Sequence, residues 1–374
     1  MQDMEFYSDF YIKEFADYME WDSDQIRDLV FFNGFPCLSN EENDLIKELM
    51  KISPNLLDKF STPRDINVNI HIYCVKGNLV DAFCFKTNDH YYIGIYSEVF
   101  KKILKQSKDL SSSIMSNADV ASCFNMGNNS LDARLTLCTF QMVLMHEYMH
   151  IVLGHCDLVC KNCKFMWEIG NSVEYTEQIS LSLSEQRAME MLADECSSMS
   201  EGIKLLQNCN NIEKIKEELL IFYLGTVMFF SLFPTNGVST ATHPCFEFRF
   251  NSMAIMIDDV LLRNLNVEDP EGFVEKVDAV IDDLVRIIKI SPDILNIDLL
   301  SYLVSNAFET EYFTLYNAAS ELLKHSNQFA RYKLDNLKPL NKSDLDNYEL
   351  QKHNFYNDIM NKNTNPYNGG NDNG

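Results

Sequence analysis

The stretch SLDARLTLCTFQMVLMHEYMHIVLG, residues 130–154, holds the strongest local signal in the chain. Ser130 is a good N-cap residue. Apolar residues then recur at helical spacing as far as Leu153, and Gly154 suits a helix C-terminus. Inside this helix lies His146-Glu147-Tyr148-Met149-His150. Four residues advance a helix by just over one turn, so both imidazoles leave from one face. Two neutral imidazoles at that spacing can reach a single zinc ion. Glu147, next to the first of them, can then take a proton from a water on that ion, whose pKa the metal brings down towards about 7.

A catalytic zinc site normally takes three protein ligands. One arrangement places a third His six residues after the second, with a Gly between them to turn the chain. Here the ligand position is Cys156 and the glycine position is Leu153, with Gly154 off register by one. Cys156 stays open as a ligand. The other arrangement takes a Glu from a later helix, and Arg187-Ala188-Met189-Glu190-Met191-Leu192-Ala193-Asp194 offers Glu190. That helix is expected to open at Ser182-Leu183-Ser184-Glu185, a capping-box pattern, and to run to about Leu206. Glu190 and Asp194 sit one turn apart, so Asp194 can accept a hydrogen bond from a ligand imidazole and fix its tautomer. Ala193 is small enough to let the two helices approach closely.

Upstream, Ile66 to Ile72 alternates apolar and polar residues as a half-buried strand does, and Val80–Phe85 and Tyr91–Tyr96 are further strands. The turns fall at Lys76-Gly77-Asn78 and Thr87-Asn88-Asp89, so a small, mostly antiparallel sheet is expected. A polar stretch spans Gln106 to Asn129. Phe6–Met19, Ile26–Phe32 and Leu45–Ile52 carry helical spacing, as does much of Ile255–Tyr348. Leu219–Phe233 is apolar but shorter than the roughly 20 residues of a spanning helix, and is expected to be a buried core helix. Its Met228, Phe229 and Phe230 are core material. The organisation expected is a helical segment over 1–62, a metal-site core over 63–255, a helical segment over 256–355, and an Asn- and Gly-rich disordered tail over 356–374.

The 374 residues are 46% hydrophobic and 23% charged, an ordinary globular balance. Acidic residues number 55 against 31 basic ones, a formal charge of −24. That sign repels phosphate backbones and anionic membranes, so neither nucleic acid nor membrane is expected as a partner. Met1-Gln2-Asp3-Met4-Glu5 is no secretory signal. Eleven cysteines without one read as reduced thiols in a cytoplasmic protein. A second zinc site from His155, Cys156, Cys160 and Cys163 lacks the usual spacing, and free thiols are expected there. No Gly-rich phosphate loop and no serine-hydrolase elbow is present.

Taken in order, His146-Glu147-x-x-His150-x-x-x-Gly154-His155, Arg187-x-x-Glu190-x-x-Ala193-Asp194 and His243-Pro244-x-x-x-x-Arg249 resemble the Glu-ligand zinc peptidases, the gluzincins. The branch they resemble contains the CAAX-prenyl protease and HtpX-type enzymes. Asp81-Ala82-Phe83 and Tyr92-Ile93-Gly94-Ile95-Tyr96 resemble two strands of the same branch, so the likeness covers about half the chain. A polar interval between His150 and Glu190 resembles instead a soluble relative, more in the style of Lit-like phage-exclusion peptidases. The resemblance implies an α+β zincin-like domain with an active-site helix and a third-ligand helix, hydrolysing peptide bonds in a peptide or protein substrate. It implies His146, His150 and Glu190 as Zn(2+) ligands, Glu147 as general base, and His243 near the cleft on the oxyanion. Asp194, His155 and Arg249 would support these. A non-catalytic zinc-binding interaction protein on the same scaffold, and a defence protease or toxin restricted to one target, are the competing expectations.

Overall fold

Three strands and the helix after them build the floor under the motif helix. The structure, a computed structural model, describes residues 48–49, 52–53, 69–75, 79–87, 90–124, 130–156, 167–168, 182–208, 212–233, 243–264, 270–295, 314–315 and 317–318. Most of the N-terminal helical expectation, most of the chain beyond Leu295, the tail, and Cys160 and Cys163 lie outside these residues.

The strands are β1 (Asn69–Val75), β2 (Ala82–Thr87), β3 (His90–Tyr96) and the two-residue β4 (Trp167–Glu168), in the order β1-β3-β2-β4. β2 and β3 form an antiparallel hairpin, Thr87 opposite His90 and Ala82 opposite Ile95. β4 adds antiparallel to β2. β1 departs from the expected antiparallel pattern: it runs parallel to β3, with Asn69 opposite His90 and Val75 opposite Tyr96. β3 thus fills the space between β1 and β2. That space is two inter-strand spacings, about 9.6 Å, less than the reach of six residues at about 3.3 Å each. Phe83 pairs with Gly94, and its ring lies over the glycine; a Cβ at residue 94 would stand 2.2 Å from the ring. Only hydrogen fits there.

The helices are α1 (Ser97–Met115), α2 (Ala118–Ala121), α3 (Leu131–Val152), α4 (Leu183–Asn208), α5 (Ile212–Leu232), α6 (Phe246–Asn264) and α7 (Pro270–Ile290). α1 takes up the first part of the polar stretch. Its buried residues Val99, Phe100, Ile103, Ser107, Leu110 and Ile114 make one stripe at helical spacing, and the polar residues face outward. α3 is the central element, packed against the sheet, α1, α4 and α5. α5 is the expected core helix, buried throughout from Leu219 to Phe230. Gly225 serves its close packing: a Cβ there would lie 2.6 Å from Cys138 Sγ on α3. Arg134 of α3 pairs with Glu217 and, at 2.8 Å, with Glu218 of α5.

α4 opens as its sequence predicts. Ser182 Oγ accepts from the Glu185 amide at 3.2 Å, and Glu185 accepts from the Ser182 amide at 2.6 Å. α6 lies along α4, joined by Ser252 donating to Glu195 and Ser198 donating to the Met253 carbonyl at 2.6 Å. It is continuous across residue 255, where the sequence expectation set a boundary. α7 covers α5 and reaches α1, where Ser113 and Ser291 hydroxyls meet at 2.8 Å. The fold is mixed α+β. No helix among the described residues is long and apolar enough to cross a membrane.

Candidate metal centre

α3 and α4 bring three donors together. His146 Nε2 lies 3.1 Å from His150 Nε2 and 3.2 Å from Glu190 Oε2, and His150 Nε2 lies 3.4 Å from Glu190 Oε1. Ligand atoms of these three residues all fall within 4.8 Å of one another, and all three residues are buried. Donors held about 2.0–2.1 Å from one ion at the corners of a tetrahedron stand about 3.4 Å apart, close to the spacings found here. The cluster can hold a metal ion.

The other ring nitrogens are occupied elsewhere. His146 Nδ1–H donates to Asp194 Oδ1 at 2.9 Å. Asp194 in turn is gripped by Arg249, whose Nε donates to Oδ2 at 2.5 Å and whose Nη2 donates to Oδ1 at 2.9 Å. His150 Nδ1 meets His155 Nδ1 at 2.9 Å. The chain reaches that position because α3 ends at Val152 and Gly154 takes a φ of 74°, a left-handed turn that glycine adopts freely. A proton on His150 Nδ1, given to His155, would leave His150 Nε2 for a metal. Two imidazole Nε2 atoms and a carboxylate therefore crowd one another in a buried space. A cation between them would take the place of the proton that His146 otherwise holds against Glu190, 3.2 Å away.

The electrostatics carry the same tension. Burial opposes a charge on His146, but Glu190 and Asp194 outweigh it and push its pKa up to about 9. Burial takes His150 well below its ordinary value, outweighing Glu190 and helped by the His146 and Arg249 charges. Burial likewise brings His155 down to about 3, so it is a neutral acceptor for His150. Glu190 is held well below the usual carboxylate range: burial resists, and the imidazoles around it, His243 foremost and the charged His146 with it, prevail. Asp194 is lowered too, the Arg249 guanidinium overcoming its burial.

Glu147 sits beside the cluster. Burial pushes its pKa up to about 8, with His146 and a hydrogen bond from the Cys84 thiol working against that rise. Its Oε2 is buried and has no hydrogen-bond partner. His243 is also brought in: its Nε2 lies 3.3 Å from Glu190 Oε2, and Arg249 Nη2 lies 3.4 Å from the same oxygen. Phe229 of α5 packs on the His146 ring with centroids 5.9 Å apart, and Phe230 lies under the Arg249 guanidinium at 5.0 Å. These phenylalanines are core, as expected, and they also form the apolar wall of the site.

All eight expected site residues therefore gather in one place: His146, Glu147, His150, His155, Glu190, Asp194, His243 and Arg249. None is more than 5% exposed. Cys156, left open as a third ligand, turns instead to Cys84, Sγ to Sγ 3.6 Å, and Glu190 is the third residue of the cluster that could hold an ion. Two neighbours were read in the sequence only as parts of a strand. Cys84 gives its thiol hydrogen to Glu147, and buried Asp81 adds negative charge near it. Nothing local marks Cys84, because β2 precedes Glu147 by about sixty residues and meets it only through packing. No protein-family model, curated protein or solved structure matches the chain.

Proposed function

We propose that the protein is a zinc-dependent endopeptidase with a zincin-like core of the Glu-ligand type, acting in the cytoplasm on a peptide or protein substrate. One observation carries this reading: one ligand atom from each of His146, His150 and Glu190 converges on a shared buried point, and the carboxylate of Glu147 is buried beside them with one oxygen unpartnered. A purely structural site has no use for that second carboxylate. Two His and one Glu suit zinc, which when bound supplies Lewis acidity and lowers the pKa of water. Asp194 and His155 hold the two imidazoles in the tautomers that leave Nε2 free. Glu147, buried beside the cluster, takes the proton from the attacking water and returns it to the leaving amine. His243, beside Glu190, hydrogen-bonds the developing oxyanion. Arg249 anchors Asp194 and so holds α6 to the site.

The depth of the site favours a second reading. Every one of these side chains is nearly inaccessible, as in a closed metal site. A metal held there without turnover would make the chain a zinc-binding interaction protein. Zinc content and cleavage-site profiling in a lysate, wild type against Glu147→Gln, separate the two. The peptidase reading expects zinc retained by both and cleavage only by the wild type. Zinc in both with no cleavage by either leaves the scaffold, and no zinc in either sinks both. A defence protease would yield one cleaved protein rather than many.

A further inference from the structure

Beside the metal cluster, but outside it, two thiols face each other. Cys84 on β2 and Cys156, two residues beyond the Gly154 turn, bring their Sγ atoms to 3.6 Å across 72 residues of chain. Neither is in a disulfide, both are buried, and Cys84 also gives its hydrogen to Glu147.

We propose that Cys84 and Cys156 are a modification site, a dithiol that a small neutral peroxide converts reversibly into a disulfide. A disulfide has its sulfurs about 2.05 Å apart, so the pair closes by about 1.5 Å to form one. The chemistry balances with peroxide as oxidant. One thiol attacks the O–O bond, becoming a sulfenic acid and releasing water. The other sulfur attacks the sulfenic sulfur; the S–S bond forms, and hydroxide leaves and takes the second thiol's proton as water. Two thiols lose two electrons, and one hydrogen peroxide becomes two waters. Burial favours a small uncharged oxidant over glutathione disulfide, and by raising the Cys84 thiol it makes the reaction slow. In a reducing compartment, disulfides are chiefly transient and redox-sensing. The position fits that use: an oxidised pair has no S–H left to give to Glu147. It also staples β2 to the end of α3. The pair stands on its own geometry, so it does not depend on the peptidase reading.

The test uses the reduced full-length chain, treated with hydrogen peroxide, quenched by alkylation, and mapped by mass spectrometry without reduction. The expected result is a Cys84–Cys156 cross-linked peptide pair, lost on adding dithiothreitol. The oxidised protein should also melt several degrees higher, because the cross-link closes a long loop in the unfolded chain. Peroxide should leave the melting temperature of Cys156→Ser where it was. Because the mapping is done on the wild type, a variant that folds poorly does not blunt it. Recovery of Cys84 and Cys156 as alkylated free thiols, after methionines or other cysteines have been oxidised, overturns the proposal. So does a cross-link that maps to other cysteines.

Discussion

His146 leans on a charged acceptor, Asp194, and His150 on a neutral one, His155. A carboxylate partner makes its imidazole the more basic ligand, and removing such partners typically lowers metal affinity about 10–100-fold. Asp194→Asn is therefore expected to weaken zinc binding towards the upper end of that range, and His155→Gln towards the lower. Zinc competition against a chromophoric chelator, scored on the folded fraction, measures both; equal losses would contradict the asymmetry. Glu147 makes a second prediction through pH. Its carboxyl has a raised pKa in the fold, about 8 against 4.5. The folded chain therefore holds a proton that the unfolded chain has given up, and stability falls as pH rises from about 4.5 to about 8. Each unit of separation is worth about 1.4 kcal/mol. In metal-free protein, Glu147→Gln should gain on the wild type across that window and hold a constant advantage above it. Urea unfolding with chelator at about pH 5 and about pH 8.5 gives the comparison; a difference that does not change with pH would remove burial as the source.

Among the elements, helices whose marks are local were the legible ones. α3 carries an N-cap, an apolar period and Gly154; α4 carries Ser182 and Glu185 at capping-box spacing, and both bonds form. α1 was less visible. Its stripe from Val99 to Ile114 has the right period, but Ser107 occupies a buried position, and serines 111–113 dilute the pattern. β1 was legible as a strand but not as a parallel one, because alternation reports which face is buried and is silent on the neighbour's direction. Burial of α5 was legible from its apolar run, whereas its contact with α3 was not: Gly225 matters because Cys138 stands against it, 87 residues away in sequence. Gly225→Ala gains helix propensity of about 1 kcal/mol yet must separate α3 from α5, and overpacking costs about 1–3 kcal/mol. The net expectation is a loss of up to about 2 kcal/mol in chemical denaturation, with zinc content per folded molecule unchanged. A more stable variant would mean that the Cys138 side chain swings clear.

For the whole molecule, the decisive contact is between α3 and α4, because the first supplies two donors and the second the other. The pair of histidines was legible from spacing alone, and Glu190 from its turn-apart partner Asp194; the convergence needed the fold, since about forty residues separate His150 from Glu190. The same geometry makes metal a clamp on the core. A ligand that binds only the folded chain stabilises it by about 2.7 kcal/mol at a hundredfold excess over its dissociation constant. For an ordered region of this size that corresponds to a rise of about 5–10 °C in melting temperature. Zinc should produce such a rise in chelator-stripped wild type, and in Glu147→Gln, whose three donors are intact. His146→Ala should show little of it, since two donors remain and the clamp between α3 and α4 rests on His150 and Glu190 alone. Scanning calorimetry with zinc and with chelator reads all three proteins. A rise in His146→Ala as large as in the wild type would place the ion elsewhere on this acidic surface, and no rise in the wild type would leave the buried donors to be neutralised by a proton on His146.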